Sequence, residues 1–98
     1  MKISILDEAS AELDDAFEYY EYEQENLGYR FISKFRDALE LIKLYPDGWH
    51  PLSKKLRRCL IKNFPYGIIY QVMGEEIIIV AVANLHQKPN YWVNRIKK

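Results

Sequence analysis

The sequence predicts an α+β fold, a helical hairpin packed on one face of a four-stranded, mainly antiparallel sheet. The order is β-α-α-β-β-β, followed by a short C-terminal helix or coil. Three observations carry this prediction. Apolar residues recur at spacings of three and four through the first half of the chain, then switch to strand-like patterning beyond Pro51. Turn-forming residues separate the resulting segments. Finally, 98 residues of which 49% are hydrophobic suffice for one core without disulfide or metal staples. Residues 1–98 therefore read as one domain, with no repeat, low-complexity tract or linker.

Lys2–Leu6 reads as the first strand. Asp7 follows as the cap of a helix starting at Glu8, its carboxylate placed to accept from free backbone N–H groups. Along this helix Ala9, Leu13, Ala16, Phe17 and Tyr20 form the apolar stripe, and Glu12, Asp14, Asp15, Glu18 and Glu21 are assigned to solvent. Asn26-Leu27-Gly28 breaks the pattern, with Gly28 free to adopt positive φ. A second stripe at Phe31, Phe35, Ala38, Leu39 and Ile42 completes an antiparallel hairpin, which Pro46-Asp47-Gly48 ends. A loop runs to Pro51 and contains Trp49 and His50. Strands follow at Leu56–Asn63, Gly67–Met73 and Glu76–Asn84, the last two joined through Gly74. Ile77–Ala83 is apolar on both parities, as a central strand is, and the first strand is expected beside it. Pro89 closes the sheet, and in the tail Tyr91, Trp92 and Ile96 are expected to pack back while Arg95, Lys97 and Lys98 stay in solvent.

A net charge of zero hides a polarised chain. Residues 1–50 carry 5 Lys/Arg against 12 Asp/Glu, whereas residues 51–98 carry 9 against 2. The second half can therefore present a positive field to an anionic partner although the whole is neutral. Cys59 is the sole cysteine, so an intramolecular disulfide is excluded, and its apolar neighbours point to a reduced, buried thiol and a cytoplasmic setting. The short Ile3–Leu6 run is too brief for a signal-peptide core, and the seven-residue run Ile77–Ala83 falls far short of the roughly 20 residues that span a bilayer. No membrane partner is expected. His50 and His86 lie far apart, without ligand spacing, so no metal and no cofactor are implied.

Arg57-Arg58, Phe64-Pro65-Tyr66, Tyr70, Ala81-Val82-Ala83-Asn84 and Lys88-Pro89-Asn90-Tyr91-Trp92 follow one another in an order that resembles the RelE/ParE superfamily of type II toxins. Upstream, Ala11-Glu12-Leu13, Tyr19-Tyr20, Leu27-Gly28 and Arg30-Phe31 are similar to that family's opening hairpin, so the resemblance spans nearly the whole chain. It implies a plasmid-stabilisation toxin neutralised by a cognate antitoxin whose flexible segment wraps it, as a hetero-oligomer or with a homodimer of the toxin. Members of the superfamily divide between ribosome-dependent mRNA endoribonucleases and ParE-like proteins that poison DNA gyrase without cutting.

RNA cleavage needs a proton acceptor for the 2′-hydroxyl, cations for the charge on phosphorus and a donor for the leaving oxygen. By the resemblance, Arg58 and Tyr91 match positions of the nucleases. Leu60, Gly67 and Leu85 stand where those enzymes carry cations. Losing three preorganised cations, each worth on the order of a few kcal/mol, argues for a ParE-like toxin that acts by binding. Enzymatic activity is thus not favoured. Were the chain a metal-independent nuclease, Arg58, His86, Tyr91 and Arg95 would be its candidates. For target or antitoxin binding the candidates are Arg58, Lys62, Lys88, Tyr91 and Arg95, together with Tyr19 and Tyr22 at the tyrosine-rich end of the first helix. A degenerate, nontoxic module that still binds antitoxin is the second alternative.

Overall fold

The computed structural model describes residues 1–96. β1 (Lys2–Ile5) leads into α1 (Asp7–Glu23) and α2 (Leu27–Leu44), and the chain then returns through β2 (His50–Pro51), β3 (Arg57–Leu60), β4 (Tyr66–Met73) and β5 (Glu76–Asn84). The sheet order is β1-β5-β4-β3-β2, antiparallel throughout except for the β1–β5 pair. The α+β expectation holds, with one strand more than expected. His50 and Pro51, assigned to a loop, pair with Arg58 and Arg57 as a two-residue edge. Such a strand is too short to leave a periodic signal. β3 in turn stops at Leu60, which leaves Lys62 in a turn where Asn63 takes φ 72°.

Two local expectations change. Asp7 is the first helical residue of α1, and the cap position falls on Leu6, which makes no side-chain cap bond; Asp7 still favours the positive helix end. Between the helices it is Asn26, at φ 72°, that takes the left-handed conformation; Gly28 lies inside α2. The carboxylate of Glu21 accepts from the N–H groups of Asn26 (2.9 Å) and Gly28 (3.0 Å) and so caps α2 from the neighbouring helix.

The helices cover one face of the sheet, burying Phe31, Phe35 and Ile42 against Ile68, Tyr70, Ile77 and Val82. An aromatic cluster of Tyr20, Phe31, Phe64 and Tyr66 closes one end, the Tyr20–Phe64 ring centroids lying 4.8 Å apart. On the opposite face Leu56, Ile69, Val80, Ala81 and Ala83 are buried beneath Trp92, as expected of an anchoring tail. β5 is apolar on both parities because the helices cover one of its faces and the tail the other, and a bulge interrupts its alternation. Tyr70 pairs with Ile79 and Ile69 with Ala81, so Val80 is the extra residue and both Val80 and Ala81 turn to the face beneath the tail. No helix among the described residues is long and apolar enough to cross a membrane.

Burial pushes the Cys59 thiol up to about 11 and, partly offset by Arg57, the Tyr70 phenol up to about 12. Tyr70 Oη donates to the Pro46 carbonyl at 2.6 Å, tying the end of the hairpin to β4. Both groups ionise more readily in the unfolded chain. Their contribution is therefore complete at neutral pH and is lost as pH rises, through about 9 to 11 for Cys59 and 10 to 12 for Tyr70. Urea midpoints are expected to fall across that window. Tyr70→Phe should be less stable at neutral pH by about 1 kcal/mol and show a flatter alkaline decline; an unchanged slope would contradict the assignment.

Candidate functional site

The site grows from a mismatch of strand lengths. β5 has nine residues and β1 four, and β1 pairs only with Glu76–Ile79. Beyond Ile79 the outer edge of β5 has lost its neighbour, and its buried backbone groups need other partners. Side chains supply them. Glu12 of α1 accepts from the Val82 N–H through Oε1 at 3.1 Å, and Arg95 donates to the Val80 carbonyl at 3.2 Å. A carboxylate and a guanidinium thus take the places of a strand's C=O and N–H.

Those two groups also bind each other. Arg95 Nη1 lies 2.8 Å from Glu12 Oε1, with side chains 17% and 20% exposed, so the ion pair is largely withdrawn from solvent. Tyr91 Oη donates to Glu12 Oε2 at 2.5 Å, and the Arg95 guanidinium carbon stands 5.1 Å from the centre of the Tyr91 ring. Burial, then the hydrogen bond and negative charge of Glu12, raise the Tyr91 phenol well above the usual tyrosine range. Burial acts against the charge of Arg95, but Glu12 outweighs it and the net shift is upward. Arg95 is thus not in solvent as expected. A short turn at Val93–Arg95 swings it back toward α1, because Glu12 offers it a charge partner. Lys97 and Lys98 lie outside the described residues.

Glu12 is the residue that the sequence reading missed by assigning it to solvent. A signal was present. It sits three residues after Ala9 and four before Ala16, both buried, at the margin of the apolar stripe.

Arg57 and Arg58 separate as period two requires. Arg57 donates to the Trp49 carbonyl at 2.8 Å. Arg58 pairs with Ile69 on the opposite face, and its stem lies over Gly67, where a Cβ would come within 3.0 Å of Arg58 Cγ. The glycine that replaces an expected cation therefore makes room for this one. Arg58 Nε is buried with no hydrogen-bond partner among the described residues. Beside it a cavity of about 60 Å³ is lined by Ile69, Leu85, Pro89 and Trp92. Leu60 and Leu85 are about half exposed.

Lys62, His86 and Lys88 are all exposed, each in a turn or the loop after β5. The His86 backbone N–H donates to Asn84 Oδ1 at 2.8 Å. Tyr19 and Tyr22 sit exposed on α1, Tyr22 at 92%. The fold thus gathers Tyr91 and Arg95 around Glu12, sets Tyr19 in a groove that Glu12 also lines, places Arg58 on the face below Trp92, and leaves Lys62, His86, Lys88 and Tyr22 outside that cluster. Held in this way, the Tyr91 phenol is neutral and donating, unsuited to take a proton near neutral pH.

Comparison with known proteins agrees with this fold. A solved structure described as "Chromosomal ParDE TA system from P. aeruginosa" superposes with a TM-score of 0.63 at 18% identity, covering 88% of this chain and 97% of that one. At that identity the likeness speaks to the fold. Among curated proteins no significant match is found. The family described as "ParE toxin of type II toxin-antitoxin system, parDE" matches residues 3–91. With nearly its full length matched, the chain belongs to the ParE toxin family of type II toxin–antitoxin systems.

Proposed function

We propose that this ParE-family toxin arrests growth by binding an essential target, DNA gyrase foremost, without cutting nucleic acid. In the same reading it acts in the cytoplasm as one domain and is held inactive by a cognate antitoxin. One observation carries the noncatalytic part. Tyr91 Oη and the Arg95 guanidinium, two of the four nuclease candidates, are both committed to Glu12. The absence of cationic side chains at Leu60, Gly67 and Leu85 supports the same conclusion. Antitoxin and target then compete for two surfaces. One is the face around Arg58, with Lys62 in the turn after β3 and Lys88 next to Pro89, which lines the cavity beside Arg58, and the other is the α1 surface bearing Tyr19 and Tyr22.

The test is biochemical and uses purified chain with gyrase and, separately, with translating ribosomes. Loss of supercoiling with accumulation of DNA breaks, and intact mRNA, is the expected result. Cleavage of ribosome-bound mRNA that disappears in Arg58→Ala and Tyr91→Phe would replace this reading with the endoribonuclease one. Absence of growth arrest on expression without antitoxin would leave the nontoxic module.

A further inference from the structure

The Glu12–Arg95 pair satisfies the Val80 carbonyl and the N–H of Val82, but the edge of β5 continues. Leu85 N–H donates to the Pro65 carbonyl, which sets the hydrogen-bonded pairs of the β4–β5 ladder at Pro65–Leu85, Gly67–Ala83 and Ile69–Ala81. Val82 and Asn84 therefore direct their backbone groups away from β4, toward the side that β1 has left. The Asn84 carbonyl accepts from Gln87 N–H at 3.1 Å. Neither the Val82 carbonyl nor the Asn84 N–H has a partner among the described residues. Both face a groove of about 210 Å³ between α1 and β5, lined by Asp15, Ala16, Tyr19, Tyr66 and Gln87 together with Glu12.

We propose that this groove receives an extended segment of the antitoxin, which adds to the free end of β5 parallel to it, in the line that β1 vacates. The inference rests on the toxin–antitoxin reading above. A single residue of a parallel segment opposite Ala83 supplies both missing bonds, its N–H to the Val82 carbonyl and its C=O to the Asn84 N–H. The lining specifies its side chains. Ala16, Tyr19 and Tyr66 offer an apolar and aromatic seat. Asp15 is exposed and its carboxylate has no ion-pair partner among the described residues, whereas Glu12 is already balanced by Arg95. The segment that fits carries a lysine or arginine next to an apolar residue. This basic element is distinct from the acidic one that the Arg58 face calls for.

The experiment uses the full-length toxin and the antitoxin encoded by its neighbouring gene, with amide hydrogen exchange read residue by residue. In the complex the Asn84 amide is expected to exchange at least about tenfold more slowly, while Val82, already bonded to Glu12, changes little. Asp15→Arg, at an exposed position, is expected to weaken the complex by about tenfold or more, and replacing the antitoxin's cation with glutamate should restore the affinity. A complex in which Asn84 exchanges as fast as in the free toxin overturns the strand addition while leaving the antitoxin reading intact. Wild-type affinity in Asp15→Arg overturns the assigned cationic segment. If no complex forms, the antitoxin reading fails and takes this inference with it.

Discussion

Glu12→Ala is expected to destabilise the fold by about 3–5 kcal/mol, the range for breaking a buried charge pair by removing one partner. One carboxylate serves three donors from distant parts of the chain, the Val82 N–H, Tyr91 Oη and Arg95. Truncation leaves the amide and the phenol without their acceptor and leaves Arg95 only the Val80 carbonyl. An orphaned buried donor costs about 1–3 kcal/mol, and two of the three, the amide and the phenol, are neutral groups that cannot regain the loss through charge solvation. Arg95, 17% exposed, recovers part of its hydration, which keeps the total below the sum of the parts. For a domain of about 100 residues, a loss of 3 kcal/mol corresponds to a fall in Tm of roughly 12–24 °C. Glu12→Gln retains an acceptor and is expected to lie between wild type and alanine. Glu18→Ala, at an exposed position on the same helix, is the control and should change stability by less than about 0.5 kcal/mol. Thermal and urea unfolding check the series. A Glu12→Ala loss below about 1 kcal/mol would show that the edge of β5 is satisfied by water and that the tail is not latched.

The elements that define the fold were legible because their signals are local. The stripe from Phe31 to Ile42 follows the helical period, and the Ile77–Ala83 run, bounded by Gly74 and Pro89, reads as a buried strand. The packing of Trp92 followed from its place on the apolar side of an amphipathic tail. What escaped depends on partners far along the chain. Glu12 and Arg95 are 83 residues apart, and no spacing rule joins them. Their meeting is decided by β1 ending at Ile5 while β5 runs on to Asn84. The Val80 bulge was likewise hidden, since an apolar run has the same appearance with or without an extra residue. The role of Gly67 emerged only when the Arg58 stem was found lying across it. At Gly67, where the resemblance implies a cation, the Arg58 side chain occupies the space that a larger residue would fill.

Gly28→Ala is expected to destabilise the protein by about 1–3 kcal/mol, although helix propensity alone would favour alanine by about 1 kcal/mol. Gly28 lies in the first turn of α2 with ordinary helical φ, so its smallness serves contact and not backbone freedom. A Cβ there would stand 2.6 Å from the Phe17 carbonyl oxygen and 2.9 Å from Glu21 Cβ. The nearer atom is α1 backbone and cannot swing aside as a flexible side chain would. The helices must therefore part at their close end. Parting them strains the Glu21 cap on Asn26 and Gly28 and loosens Phe31 against Tyr20 and Phe64. Gly74→Ala provides the contrast. That residue has φ +60° with open space around it, so its cost is conformational, about 1 kcal/mol, and leaves the core packed. Urea unfolding followed by near-ultraviolet circular dichroism distinguishes them, since only Gly28→Ala should alter the aromatic signal of the native state. A Gly28→Ala protein more stable than wild type would mean that the two helices can separate at no cost, and that the exposed surface carrying Tyr19 and Tyr22 is not held in a fixed position for a partner.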